Sequence, residues 1–138
     1  MLSSALLCLS GEAMTQLCCL ATAVYFEARG EDHMGQMAVA QVVVNRMEDP
    51  RYPNTICDVV WEDRAFSFTH DGKPDRMTHP ESRSKALQIA KSVLDGDGLE
   101  ITSTHYHTVD IKVYWSEHYA LDGRVGNHYF YTNDTPYK

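Results

Sequence analysis

The sequence predicts a mainly α single domain of the α+β class, with a small extended region in its C-terminal half. Three observations carry that expectation. The chain has 138 residues, the length of one domain with a core of its own. Three segments in its first two thirds repeat apolar residues at helical spacing, between recognisable caps and breakers. After Gly98 that spacing gives way to a β-branched, alternating run and then to dense aromatics.

The first helix is expected over Glu12 to Arg29. Met14, Leu17, Cys18, Ala21, Val24, Tyr25 and Ala28 make one apolar stripe, Ser10 or Thr15 suits the cap, and Gly30 suits the stop. Glu27 falls at the edge of that stripe, beside Val24. The second helix is expected over His33 to Met47. It is apolar almost all round and so should be the central buried helix, its polar exceptions being Gln36, Gln41, Asn45 and Arg46. Gln41 and Asn45 are four apart and share a face. Pro50 and Pro53 end this helix. Asn54 to Thr78 is less regular, with an apolar run (Ile56, Val59, Val60, Trp61), an aromatic pair (Phe66, Phe68) and a turn over Asp71 to Asp75. Pro80 opens the third helix, Glu81 and Lys85 are spaced as an i, i+4 pair, and Gly96 and Gly98 close it. Ile101 to His107 reads as extended. The run KVYWSEHYAL is expected to form a short helix, and RVGNHYFY to close the fold as an aromatic cluster.

Composition excludes several classes. Twelve basic and 19 acidic residues leave a net charge of −7, and no basic face is visible, so nucleic acid is not an expected partner. No run reaches the ~18 apolar residues of a membrane span, so stable membrane insertion is not expected. The N-terminal MLSSALLCLSGEAM lacks the basic start of a signal peptide. The cysteines are Cys8, Cys18, Cys19 and Cys57. Cys18 and Cys19 point in different directions on a helix and should not pair with each other, and there is no CxxC. The expectation is buried free thiols in a reducing compartment. A monomer is expected.

The chemistry concentrates in Tyr25 to Glu31. An acid at a helix end between large aromatics is partly desolvated, which raises its pKa and lets it donate a proton to a glycosidic oxygen. Glu27 is that acid. Glu31, four residues on, is a possible supporting acid that adds like-charge repulsion, and Arg29 is placed to neutralise one of the two. The same pattern is also the ordinary look of a solvated salt-bridge face. His105 and His107, with His118 and either His128 or Asp110, make up a zinc ligand set by number alone. No HExxH occurs, so neither metal nor cofactor is expected. Cys57 ranks last as a nucleophile, because ICDVVW reads as structure.

The motifs YFEARGE, MGQMAVAQVVVNRM, YPNTICDVVW and AFSF, then THYHTVDIKVYW and RVGNHYFY, occur in that order. In order and spacing over residues ~20 to 131 the chain resembles the cell wall hydrolase family of the spore-cortex lytic enzyme type (SleB/CwlJ-like). The resemblance implies a lysozyme-like fold and cleavage of peptidoglycan glycan strands between N-acetylmuramic acid and N-acetylglucosamine. It makes Glu27 the catalytic acid and lytic transglycosylation the chemistry. One acid/base then suffices. Glu27 protonates the leaving oxygen and, as a carboxylate, takes the C6 hydroxyl proton while the anhydro ring closes. With water as acceptor the same site is a hydrolytic muramidase. A zinc-dependent amidase and a non-enzymatic wall-binding or virion structural module are the further alternatives. Gln41, Asn45, Phe66, Ser67, His105, Tyr106 and Trp115 are the expected substrate-binding residues; Phe66 and Ser67 carry the family's Phe-Ser motif. Phe66 and Ser67 have a core Phe and an ST-turn Ser as their alternative, and Gln41 and Asn45 the satisfying of buried backbone groups or water. Residues 1–138 are expected to be a bare catalytic domain without the family's wall-binding domain. The expected setting is that of phage lysis proteins: made in the cytoplasm, then released by a lysis system or carried in a virion.

Overall fold

Thr15 sets where the first helix begins. Its side chain accepts the Cys18 N–H at 3.1 Å, and α1 runs Gln16–Ala28. Thr15 is therefore the cap of this helix, and Glu12 and Met14 of the expected span lie outside the described residues. The computed structural model describes Cys8, residues 15–62 and residues 77–133. Ser10, the Phe66–Phe68 pair, Ser67 and the turn over Asp71 to Asp75 lie outside the described residues.

Asp32 caps α2 (His33–Glu48) by accepting the Gly35 N–H at 2.9 Å. Met37, Ala38, Val39, Ala40, Val42 and Val43 are buried, which makes α2 the central helix its composition predicts. It ends at the extended Asp49, because a residue before proline is driven out of the helical region. Thr55 caps the short α3 (Ile56–Val60), and the His79 side chain caps α4 (Pro80–Leu94), which has its proline in the first turn. Gly96, at φ +95°, stops α4 in a backbone conformation that side chains disfavour. Lys85 reaches His33 on α2, 2.9 Å from its Nδ1, instead of forming the expected pair with Glu81.

The C-terminal half is more ordered than its sequence suggests. Three strands, β1 (His105–Thr108), β2 (Ala120–Val125) and β3 (His128–Thr132), form an antiparallel sheet in the order β1-β3-β2. The extended segment expected from Ile101 is a strand from His105, with the Thr104 N–H already donating to the Tyr131 carbonyl at 2.9 Å. The expected helix in KVYWSEHYAL is a single 3-10 turn, Tyr114–Glu117, and its last two residues already belong to β2. RVGNHYFY is a hairpin. Gly126 and Asn127 form its two-residue turn, and Gly126 sits at φ +57° as such a tight turn demands.

Two apolar clusters hold these elements. Leu20 and Val24 of α1, Val43 of α2, Ile56 and Val59 of α3, and Ile89 and Ala90 of α4 share the helical core. The sheet docks on it through Phe130, which packs on Ala28, Ala38, Val39 and Val42. Burial of a side chain such as Phe130 contributes about 1.5–3 kcal/mol. The small Ala28 and Ala38 let the sheet approach the end of α1.

The cysteine expectation is overturned. Cys8 is bridged to Cys18, with Cα atoms 5.4 Å apart, and Cys19 to Cys57, 5.1 Å apart. Cys18 and Cys19 do point apart, as adjacent helical residues must. That divergence gives each its own partner: the preceding segment for Cys18, and α3 for Cys19. The first turn of α1 is thus cross-linked twice.

Candidate active site

Glu27 lies in the last turn of α1, half-buried, with its side chain toward the sheet. Tyr106 of β1 donates its hydroxyl to Glu27 Oε1 at 2.9 Å. Burial pushes the Glu27 carboxyl above its ordinary value, against the Tyr106 hydrogen bond and the positive charge of Arg46, which both pull it down. The C-terminal end of a helix carries partial negative charge and disfavours a carboxylate there as well. Burial likewise pushes the Tyr106 phenol well above its ordinary range, so the phenol stays protonated and remains a donor.

The two other charges of the motif are placed differently from their sequence-based roles. Arg29 turns back along α1, donating to Tyr25 Oη at 2.6 Å and lying over that ring. Arg46 of α2 is the cation that acts on Glu27. It is buried, and sequence reasoning registered it only as a polar exception on an apolar helix. Glu31 lies beyond the end of α1. Its carboxylate accepts the Asn127 N–H at 3.1 Å and lies 2.9 Å from His128 Nδ1, off the line of an N–H···O bond. The raised Glu27 pKa therefore comes from burial and not from repulsion by Glu31.

Alternation along β1 divides the expected aromatic wall. Tyr106 faces the helices, with His128 edge-on at 5.0 Å and Phe130 at 5.6 Å. His105 and His107 face the other way. His105 lies 5.0 Å from Trp115 and 4.7 Å from Tyr119, and Tyr52 approaches from the α2–α3 connection at 6.4 Å. Burial, with the nearby Arg46 and Arg51, lowers the His105 pKa to about 4, so this ring is neutral near pH 7. His107 contacts the Tyr131 hydroxyl through Nε2 and the Thr108 carbonyl through Nδ1, each at 2.8 Å, so both its nitrogens are engaged. Among the described residues, no three or more His, Cys, Asp or Glu side chains are grouped to hold a metal ion.

Gln41 and Asn45 bond to each other, and Asn45 holds the backbone ahead of β1. Asn45 donates to the carbonyls of Ile101, at 2.9 Å, and Ser103, at 2.8 Å, and accepts from Gln41 at 3.1 Å. Arg46 Nε donates to the Thr104 carbonyl at 2.7 Å. Together α2 clamps the backbone that leads into β1 and so places Tyr106. The signal for this was the Asn-Arg pair on a helix otherwise apolar, where buried polar groups need partners.

A half-buried acid at the end of the first helix, under a phenol from a small sheet, is set within motifs spanning the chain. The family model described as Cell Wall Hydrolase matches residues 30–131. The chain belongs to that cell wall hydrolase family. Glu27 lies just ahead of the matched segment. The chain is 33% identical over 121 residues to a spore cortex-lytic enzyme of Bacillus cereus, covering 88% of this chain and 46% of that protein. It is 36% identical over 114 residues to the spore cortex-lytic enzyme of Halalkalibacterium halodurans, covering 80% and 33%. The chain thus spans about half the length of the first of these relatives or less. Among solved structures it matches the catalytic domain of the germination-specific lytic transglycosylase SleB from Bacillus anthracis. The TM-score is 0.71 at 31% identity, covering 89% of this chain and 98% of that one. The catalytic domain of the Bacillus cereus SleB protein gives 0.69 at 30%, covering 91% and 97%. The expected mainly helical, lysozyme-like α+β fold is the one observed.

Proposed function

We propose that this cell wall hydrolase family member cleaves the glycan strands of peptidoglycan as a lytic transglycosylase, with Glu27 as its general acid and base. The observation that carries the reading is the Glu27 carboxyl, pushed above its ordinary pKa by burial and held by the Tyr106 hydroxyl. Protonated, Glu27 gives its proton to the oxygen between N-acetylmuramic acid and N-acetylglucosamine, and that bond breaks. The carboxylate left behind is stabilised by Tyr106 and Arg46. It then takes the proton of the muramic acid C6 hydroxyl, whose oxygen closes onto the anomeric carbon. The likeness to the SleB catalytic domain supports this outcome over capture by water.

His105 and Trp115, with the neighbouring Tyr52 and Tyr119, lie on the face of the edge strand β1 opposite Tyr106 and are the proposed surface for sugars of the strand away from the cleaved bond. Aromatic faces suit the apolar face of a pyranose, and a neutral imidazole hydrogen-bonds without charge. Phe66 and Ser67 are proposed to contact the glycan on their Phe-Ser motif alone. The enzyme works on the wall as a monomer, without nucleic acid or membrane insertion. The cysteine bridges support action on the oxidising side of the membrane, reached through a phage lysis system or in a virion.

The test is a digest of purified peptidoglycan analysed by mass spectrometry, with the parent and Glu27→Gln. Anhydromuramic ends from the parent, and a loss of about 100-fold or more in the variant, are expected. Reducing muramic ends from the parent would identify a muramidase. Intact stem peptides would identify an amidase, and full activity in the variant would remove Glu27 from the chemistry.

A further inference from the structure

The second glutamate of EARGE and a histidine 97 positions later in the chain meet at the base of the site. The Glu31 and His128 side chains are only 9% and 7% exposed, with Oε1 and Nδ1 2.9 Å apart. Each is held from a second direction. Glu31 accepts the Asn127 N–H, and its Oε2 lies where a Cβ on Gly126 would come within 2.6 Å, so the hairpin turn closes tightly over this carboxylate. The Gln36 side chain donates to the Glu31 carbonyl at 3.1 Å. The His128 ring stands edge-on to Tyr106 at 5.0 Å and 88°, and Phe130 closes the remaining side at 6.1 Å from His128 and 5.6 Å from Tyr106. Tyr106 in turn donates to Glu27. The two glutamates of one motif therefore sit at the two ends of one contact chain: Glu31, His128, Tyr106, Glu27.

We infer that the Glu31–His128 pair is a positioning device for the general acid, fixing the Tyr106 ring so that its hydroxyl stays on Glu27. The inference rests on the role proposed for Glu27, and deepens it. His128 touches neither Glu27 nor any reacting atom; it acts through Tyr106. The hydroxyl it holds in place favours the carboxylate form, so a loosened Tyr106 leaves Glu27 a weaker acid. The other charged or titratable groups that bear on this chain are Arg46 of α2, on Glu27 and Tyr106, and His107, which influences His128 from the other face of the sheet. Neither bridges Glu31 to Tyr106.

The experiment follows the Glu27 carboxyl carbon by NMR through a pH titration, alongside the pH dependence of peptidoglycan cleavage. The proteins are the parent, Tyr106→Phe, His128→Phe and the double variant. Tyr106→Phe deletes the donor and should raise the Glu27 pKa by about one unit, the scale of one hydrogen bond to a charged group. His128→Phe should raise it in the same direction, and the double variant should match Tyr106→Phe alone. Glu31→Gln keeps the shape of the carboxylate and serves where His128→Phe does not fold; it too should raise the Glu27 pKa. A Glu27 titration unchanged in His128→Phe or Glu31→Gln, with activity reduced evenly at every pH, overturns the inference and leaves the pair merely structural. So does a shift that adds fully to that of Tyr106→Phe. If the NMR pKa moves but the alkaline limb of activity stays in place, the positioning stands and the catalytic role of Glu27 falls.

Discussion

Removal of the Cys19–Cys57 bridge is the perturbation with the largest effect that can be worked from the structure. The bridge closes a loop of 38 residues and ties α1 to α3. The loss of loop-closure entropy in the unfolded chain places its contribution at about 3.9 kcal/mol. α3 has five residues, too few to persist as an isolated helix, so the tether matters locally as well. At about 2.1 cal/mol/K of unfolding entropy per residue, a chain of 138 residues should lose roughly 13 °C of Tm. The assay is differential scanning calorimetry of the parent and of the Cys19→Ala/Cys57→Ala pair, each with and without a thiol reductant. Reduction keeps both side chains in place, so the two arms separate the cross-link from packing around the fully buried Cys19. The Cys8–Cys18 bridge closes only 10 residues and, in the same treatment, adds about 2.7 kcal/mol. Thiol titration of the denatured, unreduced parent should find no free cysteine. Free thiols there, or a reductant that leaves Tm unmoved, would refute the reasoning.

Three further outcomes are expected. Glu27→Gln should melt higher than the parent at pH 7 while losing activity. A carboxyl whose folded pKa is raised stabilises the fold below its unfolded value and loses that contribution as pH rises through the folded one, so the gain should vanish near pH 4. His105→Gln should flatten the acid side of the stability profile. The folded pKa near 4 lies below the unfolded value of about 6.5, so the parent should lose stability between those two values as pH falls, and denaturant melts across that window measure it. Asn45→Ala leaves the Ile101 and Ser103 carbonyls without their donor. It should cost about 2 kcal/mol in urea unfolding and lower kcat/KM by loosening the approach to Tyr106.

The helices were legible because their signals are local. Pro80 and Gly96 bracket α4 in the sequence as they do in the structure, and the all-round apolar run of α2 announced a central helix. The sheet was less so. His105 to His107 alternates weakly, and the Gly126-Asn127 turn was hidden inside an aromatic-rich run whose bulk suggested a cluster. Glu27 was legible through its motif, but its setting depends on residues distant in sequence. Tyr106 is 79 positions away, and no local pattern pairs them. Arg46 and Arg29 illustrate the same limit. The arginine near Glu27 in sequence turns to Tyr25, whereas the one that acts on it comes from the next helix. The disulfides were missed for a related reason, since their spacing carries no motif and only the packing of α3 on α1 brings Cys57 to Cys19.

The alternation along β1 carries a consequence for how this domain tolerates change in length. One residue inserted or deleted between Thr104, where the Asn45–Arg46 clamp holds the backbone, and Thr108 shifts the side chains that follow it in β1 to the opposite side of the sheet. An imidazole then meets Glu27 where the phenol should be, and the tyrosine joins the outward aromatics. Substitutions at this strand can be graded, but indels cannot, so natural length variation in related chains should gather in the connections beyond Thr108 and before Ile101.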